Sequence, residues 1–431
     1  MQARFLHCAD IHLGYQQYNQ KERGNDFARA FLAVMDAAIA EQVDFVVLAG
    51  DLFQKRAIDA LTLNQAVVGL ERLQRAGIPC LAVEGNHERA YYDNQIGWME
   101  FLAQRRLLLL LNAPFQEGKA QLEPYAERTR AGAYHDPKPG LRVYGLGWRG
   151  SSTAQAVDAY AQALAATPAP GIEYTIFIAH AGVEGVIDGM GGGLSHRQWS
   201  VLRPHADYVA LGHIHKPFEH DNWIFNPGSP ETCAIAEAAW PERGYFIVDV
   251  DTARSGAVHH RATLHSNPRR RFHRVRLQVD HLHTPADLTD ACEKLLRADA
   301  RKHKLAELGP SARPVVELQL TGVLPFDRTS LDLTALEAQV VEICDPLTTL
   351  VKNLSRPTEF EVATDDRINR RALERQVVTD LLARDARYRD QSEEWAAVAL
   401  ALKNLAIDGA SPETIVDELA SMINRVHHPS E

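Results

Sequence analysis

The chain has 431 residues, more than one ordinary hydrophobic core accommodates, so we expect two or three domains. A composition of 45% hydrophobic and 24% charged residues is typical of soluble globular proteins, and the purely apolar run at residues 107–111 is far too short to span a bilayer. The net charge of −10 disfavours nucleic-acid binding unless positive charge is concentrated locally, as bound divalent metals or residues 269–271 would do.

From residue 5 to about residue 250, short apolar runs alternate with segments of helical periodicity. The runs ARFLHCAD, DFVVLAG and IPCLAVEGN predict strands, and the segments between them, residues 26–42 and 60–77, predict helices. Further strands are predicted at LRVYGLG, EYTIFIAH, DYVALGH and RGYFIVDV. Because these strands are continuously apolar and separated by helices, we expect α/β sheets that are covered on both faces.

The composition changes at residues 266–268, where a polar Ser-Asn-Pro segment precedes three arginines. We therefore predict a first domain at 1–266 and a small α/β module at 267–363. In that module a strand at RFHRVRLQV, a helix at 284–308, a strand at PVVELQL, a helix at 331–341 and a last short strand are expected. Residues 364–431 predict only helices.

Five scattered cysteines form no CxxC pair, which argues against a disulfide framework and against a thiolate zinc site. A reducing, cytoplasmic setting is the simplest expectation. The first four residues run directly into a predicted strand, so we also expect no signal peptide. The cysteines are Cys8, Cys80, Cys233, Cys292 and Cys344.

Chemically active side chains follow five of the predicted strands. In open α/β sheets the carboxyl ends of the strands form the crevice where ligands bind, so these side chains are expected to meet. Each alone is compatible with a turn cap or a satisfied core histidine, the reading that we prefer for His7, but five such segments in order favour a shared site. The residues are Asp10, His12, Asp51, Asn86, His87, His180, His213 and His215.

This donor set combines imidazole nitrogen with hard oxygen and contains no sulfur, which suits Mn²⁺, Fe²⁺ or Zn²⁺ in a catalytic role. Even without His87, seven candidate ligands are too many for one tetrahedral ion, and they fit two ions that share a carboxylate. Two metals about 3.5–4 Å apart can stabilise the attacking and leaving oxygens of a phosphoryl displacement.

The motifs DxH, GD, GNH, a lone histidine and GHxH, in that order, resemble the calcineurin-like metallophosphoesterase superfamily. The resemblance implies a four-layer α/β sandwich with two metals bridged by Asp51. One metal would be held by Asp10, His12 and His215. The other would be held by Asn86, His180 and His213. His87 would stay off the metals and act near the leaving oxygen, as a proton donor or charge stabiliser.

The stretches LHCADIHLGY, GDLF, ALGHIHKP, NPGSPE and RGYFIVDV resemble, more narrowly, the SbcD-like family of DNA repair nucleases. That resemblance implies a DNA exonuclease or endonuclease with two divalent metals, Mn²⁺ first and Mg²⁺, Fe²⁺ or Zn²⁺ as alternatives. It also implies a homodimer, a cap domain at 267–363 and a tail that docks on an SMC-like ABC ATPase of the SbcC type. A phosphatase or cyclic-nucleotide phosphodiesterase with the same site, and a DNA-tethering subunit with weak catalysis, remain open.

One position departs from the family pattern. Gln54 stands where the family often has a histidine that is thought to assist exonuclease action, and glutamine cannot carry a proton in the same way. Metal binding should survive, but exonuclease activity is in doubt and endonuclease activity is favoured.

Four candidate substrate contacts lie outside the ligand set. Gln54 and Lys216 are next to ligand motifs, whereas Arg269 and Arg271 belong to an arginine-rich stretch that either contacts phosphates or coats a solvent-facing strand. In the glycine-rich segment 188–198, Ser195 and Gln198 predict a capping box at the start of a helix.

The helical tail carries an apolar stripe at helical spacing. The stripe packs either in the protein's own core or against helices of the ATPase partner. Its residues are Trp395, Val398, Leu402 and Leu405.

Overall fold

The computed structural model describes residues 1–89, 96–187, 193–253, 259–357, 370–383, 387–407 and 410–427. In these ranges the α-helices are α1 Lys21–Ala40, α2 Ala60–Arg75, α3 Trp98–Gln104, α4 Thr153–Ala166, α5 His196–Trp199, α6 Pro285–Lys302, α7 Leu333–Cys344, α8 Arg370–Ala383, α9 Ser392–Ile407 and α10 Pro412–His427. The strands are β1 Gln2–Cys8, β2 Phe45–Leu48, β3 Cys80–Ala82, β4 Leu109–Leu110, β5 Phe115–Gln116, β6 Lys119–Ala120, β7 Tyr134–Lys138, β8 Leu141–Leu146, β9 Tyr174–His180, β10 Tyr208–Gly212, β11 Phe218–His220, β12 Ile224–Asn226, β13 Gly244–Asp251, β14 His260–Ser266, β15 Phe272–Gln278, β16 Val315–Thr321, β17 Val323–Leu324, β18 Thr348–Asn353 and β19 Arg356–Pro357.

Two six-stranded mixed sheets form the centre of the N-terminal part. The first has the order β14-β13-β1-β2-β3-β4, with β1 to β4 parallel and β13 antiparallel to β1. The second has the order β11-β12-β10-β9-β8-β7, with β8, β9, β10 and β12 parallel. The parallel strands of each sheet therefore end at one common edge, which is where ligands bind in such sheets.

The alternation of side chains along β2 shows how the layers are built. Val46 and Leu48 pack with helices α1 and α2 on the outer face of the first sheet, whereas Phe45 and Val47 face the second sheet. On the far side, α4 packs on the second sheet through residues such as Val157. The order helix, sheet, sheet, helix confirms the expected four-layer α/β sandwich.

Two helix starts are fixed by their caps. The Asp59 side chain accepts from the Thr62 amide at 2.7 Å at the start of α2. The predicted capping box of Ser195 and Gln198 is confirmed at the start of α5. The other part of the glycine-rich segment, residues 188–192, lies outside the described residues.

The contacts between residues divide the chain into two compact units. The first comprises residues 1–275, 296–318 and 337–351, and the second comprises 276–295, 319–336 and 352–431. The strands and helices expected after residue 266 are present in the expected order, and their three strands form a sheet ordered β15-β16-β18. The boundary expected at 363 lies outside the described residues, and the three-part division stays a prediction.

The described tail is helical, as predicted, in α8, α9 and α10. In α9 Val398 is buried and Trp395, Leu402 and Leu405 are half-buried, and the helix contacts α8 and α10. Within the described ranges no helix combines the length and apolar character needed to span a membrane. All five cysteines are free thiols.

Candidate metal centre

The candidate ligands follow strands of both central sheets. In the first sheet, β1 leads to Asp10 and His12, β2 leads to Asp51, and β3 leads to Asn86 and His87. In the second sheet β9 ends at His180, and β10 leads to His213 and His215. Because these strands are parallel within each sheet, the two carboxyl edges deliver all eight side chains to one region.

Asp51 lies at the centre of the cluster. Its Oδ2 is 3.2 Å from His180 Nε2, 4.0 Å from His12 Nε2 and 3.9 Å from His87 Nε2. Its Oδ1 accepts from the backbone amide of His87 at 3.0 Å. One carboxylate therefore faces side chains that follow β1, β3 and β9, which is the placement that a bridging ligand needs.

Two further sets of atoms lie on either side of Asp51. On one side Asn86 Oδ1 is 3.0 Å from His180 Nε2 and 2.9 Å from His213 Nδ1. On the other side His12 Nε2 is 3.0 Å from His215 Nε2. The structure thus places Asn86 beside His180 and His213, and His12 beside His215; the division into two ligand sets stays a prediction.

Asp10 is tied to the second sheet. Its two carboxylate oxygens accept from the backbone amide of His213 at 2.9 and 3.1 Å. The carboxylate thus joins the loops after β1 and β10 and lies beside the ligand cluster. Its role as a ligand stays a prediction.

The polarity of the donor atoms fits a bound cation. His180 Nδ1 lies 2.8 Å from the Ala49 carbonyl, which can only accept, so Nδ1 carries the hydrogen. In the neutral ring, the Nε2 lone pair then points at two other acceptors, the Asp51 carboxylate and the Asn86 side-chain oxygen. Converging acceptors of this kind are what a metal ion satisfies.

The proximity of histidine and acidic side chains leads to the same conclusion. Asp51, His180 and His213 form one group that could hold a metal ion, and His12, Asp51 and His87 form another. The nature of the metal is not fixed by these groups.

Burial and charge set the protonation of the metal-free cluster. Burial lowers the pKa of His180, but the Asp51 carboxylate outweighs burial and raises that pKa to about 9. Burial by itself would raise the pKa of Asp51. The nearby His180, which is hydrogen-bonded to the carboxylate, outweighs burial and holds the pKa of Asp51 far below its usual value. Burial lowers the pKa of His213 to about 4, and His180 adds to the shift. A metal that binds here must therefore displace a proton from His180.

Glu237, absent from the sequence prediction, orients His215. Its Oε1 is 2.8 Å from His215 Nδ1, and its Oε2 accepts from the Cys233 amide at 2.9 Å and from Arg243. Glu237 and Arg243 are buried, at 4% and 1% exposure. The hydrogen bond keeps the Nε2 atom of His215 turned toward His12, and carboxylates that hold a ligand imidazole in this way raise its affinity for metal.

Glu88, also missed, joins two of the ligand loops. Its Oε1 accepts from the amides of Gly85 at 3.0 Å and Leu52 at 3.4 Å. Burial raises the pKa of Glu88 to about 8, and the nearby Asp51 charge adds to the rise. Its position directly after GNH was the one sequence signal that could have identified it.

Two glycines leave the room that the ligands occupy. A Cβ on Gly85 would lie 2.0 Å from Asp51 Oδ1, and a Cβ on Gly50 would lie 2.4 Å from His180 Nδ1. Gly50 also has a φ of +86°, which favours glycine. The glycines of GD and GNH therefore act by allowing the close approach of neighbouring loops.

Three of the four predicted substrate contacts, Lys216, Arg269 and Arg271, have other partners for their side chains, whereas Gln54 is bonded through its backbone. The Gln54 carbonyl accepts from His87 Nδ1 at 2.7 Å, and Lys216 Nζ donates to the Val186 carbonyl at 2.9 Å. Arg269 donates to the carbonyls of Arg243, Asn267 and Pro241. Arg271 is exposed and donates to the His303 carbonyl at 3.3 Å. Contacts of these four residues with substrate stay predictions.

Comparison with known proteins gives a consistent result. The sequence model of the family described as calcineurin-like phosphoesterase matches residues 3–217. A DNA double-strand break repair protein Mre11 from Archaeoglobus fulgidus is 33% identical over 241 residues, which cover 55% of this chain and 52% of that protein. Proteins of the same name from Halobacterium salinarum and Methanopyrus kandleri are 50% and 28% identical over 86 and 275 residues.

Those two matches cover 20% and 59% of this chain and 22% and 55% of the respective relatives. In the longer matches the chain thus spans about half the length of its relatives. The family match contains every candidate ligand, from Asp10 to His215. Residues 3–217 of this chain therefore form a calcineurin-like phosphoesterase domain.

Proposed function

We propose that this protein is a phosphodiesterase that uses two divalent metal ions, with Mn²⁺ as the first candidate, to cleave DNA during repair. The observation that carries the proposal is the position of Asp51, whose carboxylate faces imidazoles from both sheets. A carboxylate shared in this way is what holds two cations close enough to act on one phosphate.

The ligands are proposed to divide as the distances suggest. Asp10, His12 and His215 would hold one ion. Asn86, His180 and His213 would hold the other, with Asp51 between them. When bound, the two ions would polarise the phosphate and supply an activated water at neutral pH.

His87 is the side chain that we assign to the leaving oxygen. The Gln54 carbonyl accepts from its Nδ1, so its Nε2 is the atom that is free to hold or release a proton toward substrate. The side chain of His87 is 33% exposed, whereas His12, Asp51 and His180 are at most 2% exposed. His87 is thus the member of this group that a phosphate could reach from solvent.

DNA is proposed as the substrate because three relatives carry the name of a DNA double-strand break repair protein. An SMC-like ATPase partner, a homodimer and a cytoplasmic setting are parts of the same proposal and rest on the resemblance. The five free cysteines agree with a reducing compartment.

A nuclease assay on single-strand, duplex and hairpin DNA with Mn²⁺ tests the proposal. Asp51→Asn should abolish cleavage and reduce bound metal. Asp221→Asn, a matched change at a side chain that is 69% exposed, should do neither. Hydrolysis of bis-nitrophenyl phosphate without cleavage of DNA would replace the proposal with a small-molecule phosphodiesterase. Strong DNA binding without turnover would replace it with a tethering subunit.

A further inference from the structure

A second cluster of metal-binding side chains lies away from the ligand strands. His273 is on β15, Asp299 is on α6, and His303 follows the end of that helix. Each offers one donor atom, and the three donor atoms lie within 4.8 Å of one another. All three residues belong to the first compact unit.

The spacing along the chain explains how the cluster is built. Asp299 and His303 are four residues apart, so they project from the same side of the helical turn. His273 approaches from the strand, and its Nε2 is hydrogen-bonded to Asp299 Oδ2. His303 Nε2 lies 3.8 Å from the other oxygen, Oδ1, of the same carboxylate.

A single histidine–aspartate ion pair would explain His273 but not His303. The two imidazole rings are 4.5 Å apart between centroids and share one carboxylate. If both rings were protonated, they would repel each other and only one positive charge would be neutralised. A cation between neutral rings would use both imidazoles and the carboxylate, so it accounts for all three side chains.

The surroundings make the cluster accessible and hold it in place. His273 and His303 line an open cavity of about 450 Å³, whose wall also carries Trp240 and Arg271, so solvent reaches the cluster. The side chains of His273 and Asp299 are only 16% and 21% exposed. Arg271 donates to the His303 carbonyl at 3.3 Å and so fixes the backbone of that ligand.

We propose that His273, Asp299 and His303 form a third metal site, separate from the candidate dinuclear centre, which takes a divalent transition metal such as Zn²⁺. Two imidazoles and one carboxylate are a borderline-soft donor set that prefers such ions to Mg²⁺ or Ca²⁺. A metal at this site joins β15 to the end of α6 and so stabilises the folded chain by mass action.

The test measures metal content and thermal stability of the full chain loaded with Zn²⁺ and then desalted. Asp299→Asn and His303→Ala should each lose one equivalent of Zn²⁺ per chain. In both variants, adding Zn²⁺ should raise the melting temperature by less than it does in the wild type. His283→Ala, which changes an exposed histidine outside the cluster, should keep the wild-type values. Asp51→Asn should lose metal from the candidate dinuclear centre but retain the one equivalent of Zn²⁺ at the third site. This variant therefore separates failure of the proposed function from failure of the third-site proposal.

Co²⁺ provides a second readout that needs no catalytic activity. The visible absorption of Co²⁺ bound to the wild type should lose one component in Asp299→Asn, whose side chain keeps its shape but loses its charge. Equal Zn²⁺ content and equal Co²⁺ spectra in the wild type and both variants would overturn the proposal. A lower melting temperature without any loss of metal would also overturn it, because the cluster would then be an ion pair only.

Discussion

Glu237→Gln isolates the effect of one buried charge behind the candidate metal centre. The Glu237 carboxylate accepts from His215 Nδ1 at 2.8 Å, from the Cys233 amide at 2.9 Å and from the Arg243 guanidinium. Glutamine has nearly the same shape and keeps one acceptor oxygen, so the substitution removes charge without creating a cavity.

The loss of stability can be estimated from the partners of Arg243. Removing one partner of a buried ion pair costs about 3–5 kcal/mol when the other charge is left alone. Arg243 is 1% exposed, but it also donates to Ser229 Oγ at 2.9 Å and Thr232 Oγ1 at 2.6 Å. Because these two acceptors remain, we expect a smaller decrease in the free energy of unfolding, about 2–3 kcal/mol.

The same change should weaken metal binding. A carboxylate that holds a ligand imidazole typically contributes about 10–100-fold to metal affinity. We expect Glu237→Gln to raise the Kd for one of two Mn²⁺ ions by that factor and to leave the other nearly unchanged. Mn²⁺ titration followed by electron paramagnetic resonance measures the affinities, and urea unfolding of the metal-free protein measures the stability.

Glu242→Gln is the matched control. Glu242 lies one residue before Arg243 in the sequence. Because its side chain is exposed, the substitution should change neither the Mn²⁺ affinity nor the free energy of unfolding. If Glu237→Gln keeps the wild-type Mn²⁺ affinity, and its free energy of unfolding lies within about 0.5 kcal/mol of the wild-type value, Glu237 does not support the candidate centre as we argue.

Three further predictions concern the residues around Asp51. The pKa of His180 is about 9 in the folded protein, above its ordinary value of 6.5. Protonated His180 therefore stabilises the folded state, and this stabilisation is fully present below pH 6.5. Metal-free protein should lose that stabilisation from pH 6.5 to 9 while Mn²⁺ binds more tightly, which thermal unfolding and titration at each pH would check. His87→Ala should lower kcat about 10²–10⁴-fold with unchanged Mn²⁺ content, measured by single-turnover cleavage and elemental analysis. Gln54→His should increase exonuclease rate on a 3′-labelled duplex with Mn²⁺, and no gain would count against the role assigned to position 54.

The convergence of the candidate ligands could be predicted because it depends on local pattern and a general rule of topology. Asp51 and His180 each follow a short, continuously apolar strand, and both strands are recognisable from the sequence. Parallel strands end at a common edge, so the convergence of such residues needs no further knowledge of the fold. The distances between the strand ends, and hence the pairing of Asn86 with His213, come only from the structure.

The supporting charges could not be predicted, since their partners come together only in the folded chain. Glu237 belongs to a short 3-10 helix, Ile235–Ala239, without a motif, and nothing local shows that it is buried beside His215. Arg269 illustrates the opposite case, because its position in an arginine run suggested phosphate binding. In the structure three backbone carbonyls accept from its guanidinium, and burial lowers its pKa to about 10. A charge in the sequence therefore does not show whether its hydrogen bonds are already used.

The backbone at the candidate metal centre adopts conformations that the surrounding protein must enforce. Asp10, His12, Asp51 and His213 have positive φ angles of 54°, 54°, 53° and 95°. The left-handed region costs an ordinary residue about 1–2 kcal/mol, although aspartate and histidine enter it more readily than most. Strain of this kind persists only where the surrounding structure enforces it, and here the His12 amide donates to the Asp51 carbonyl at 3.0 Å. The centre is therefore held by the fold itself, and removing the metals should leave the two-sheet core folded, in contrast to small domains whose metal is required for folding.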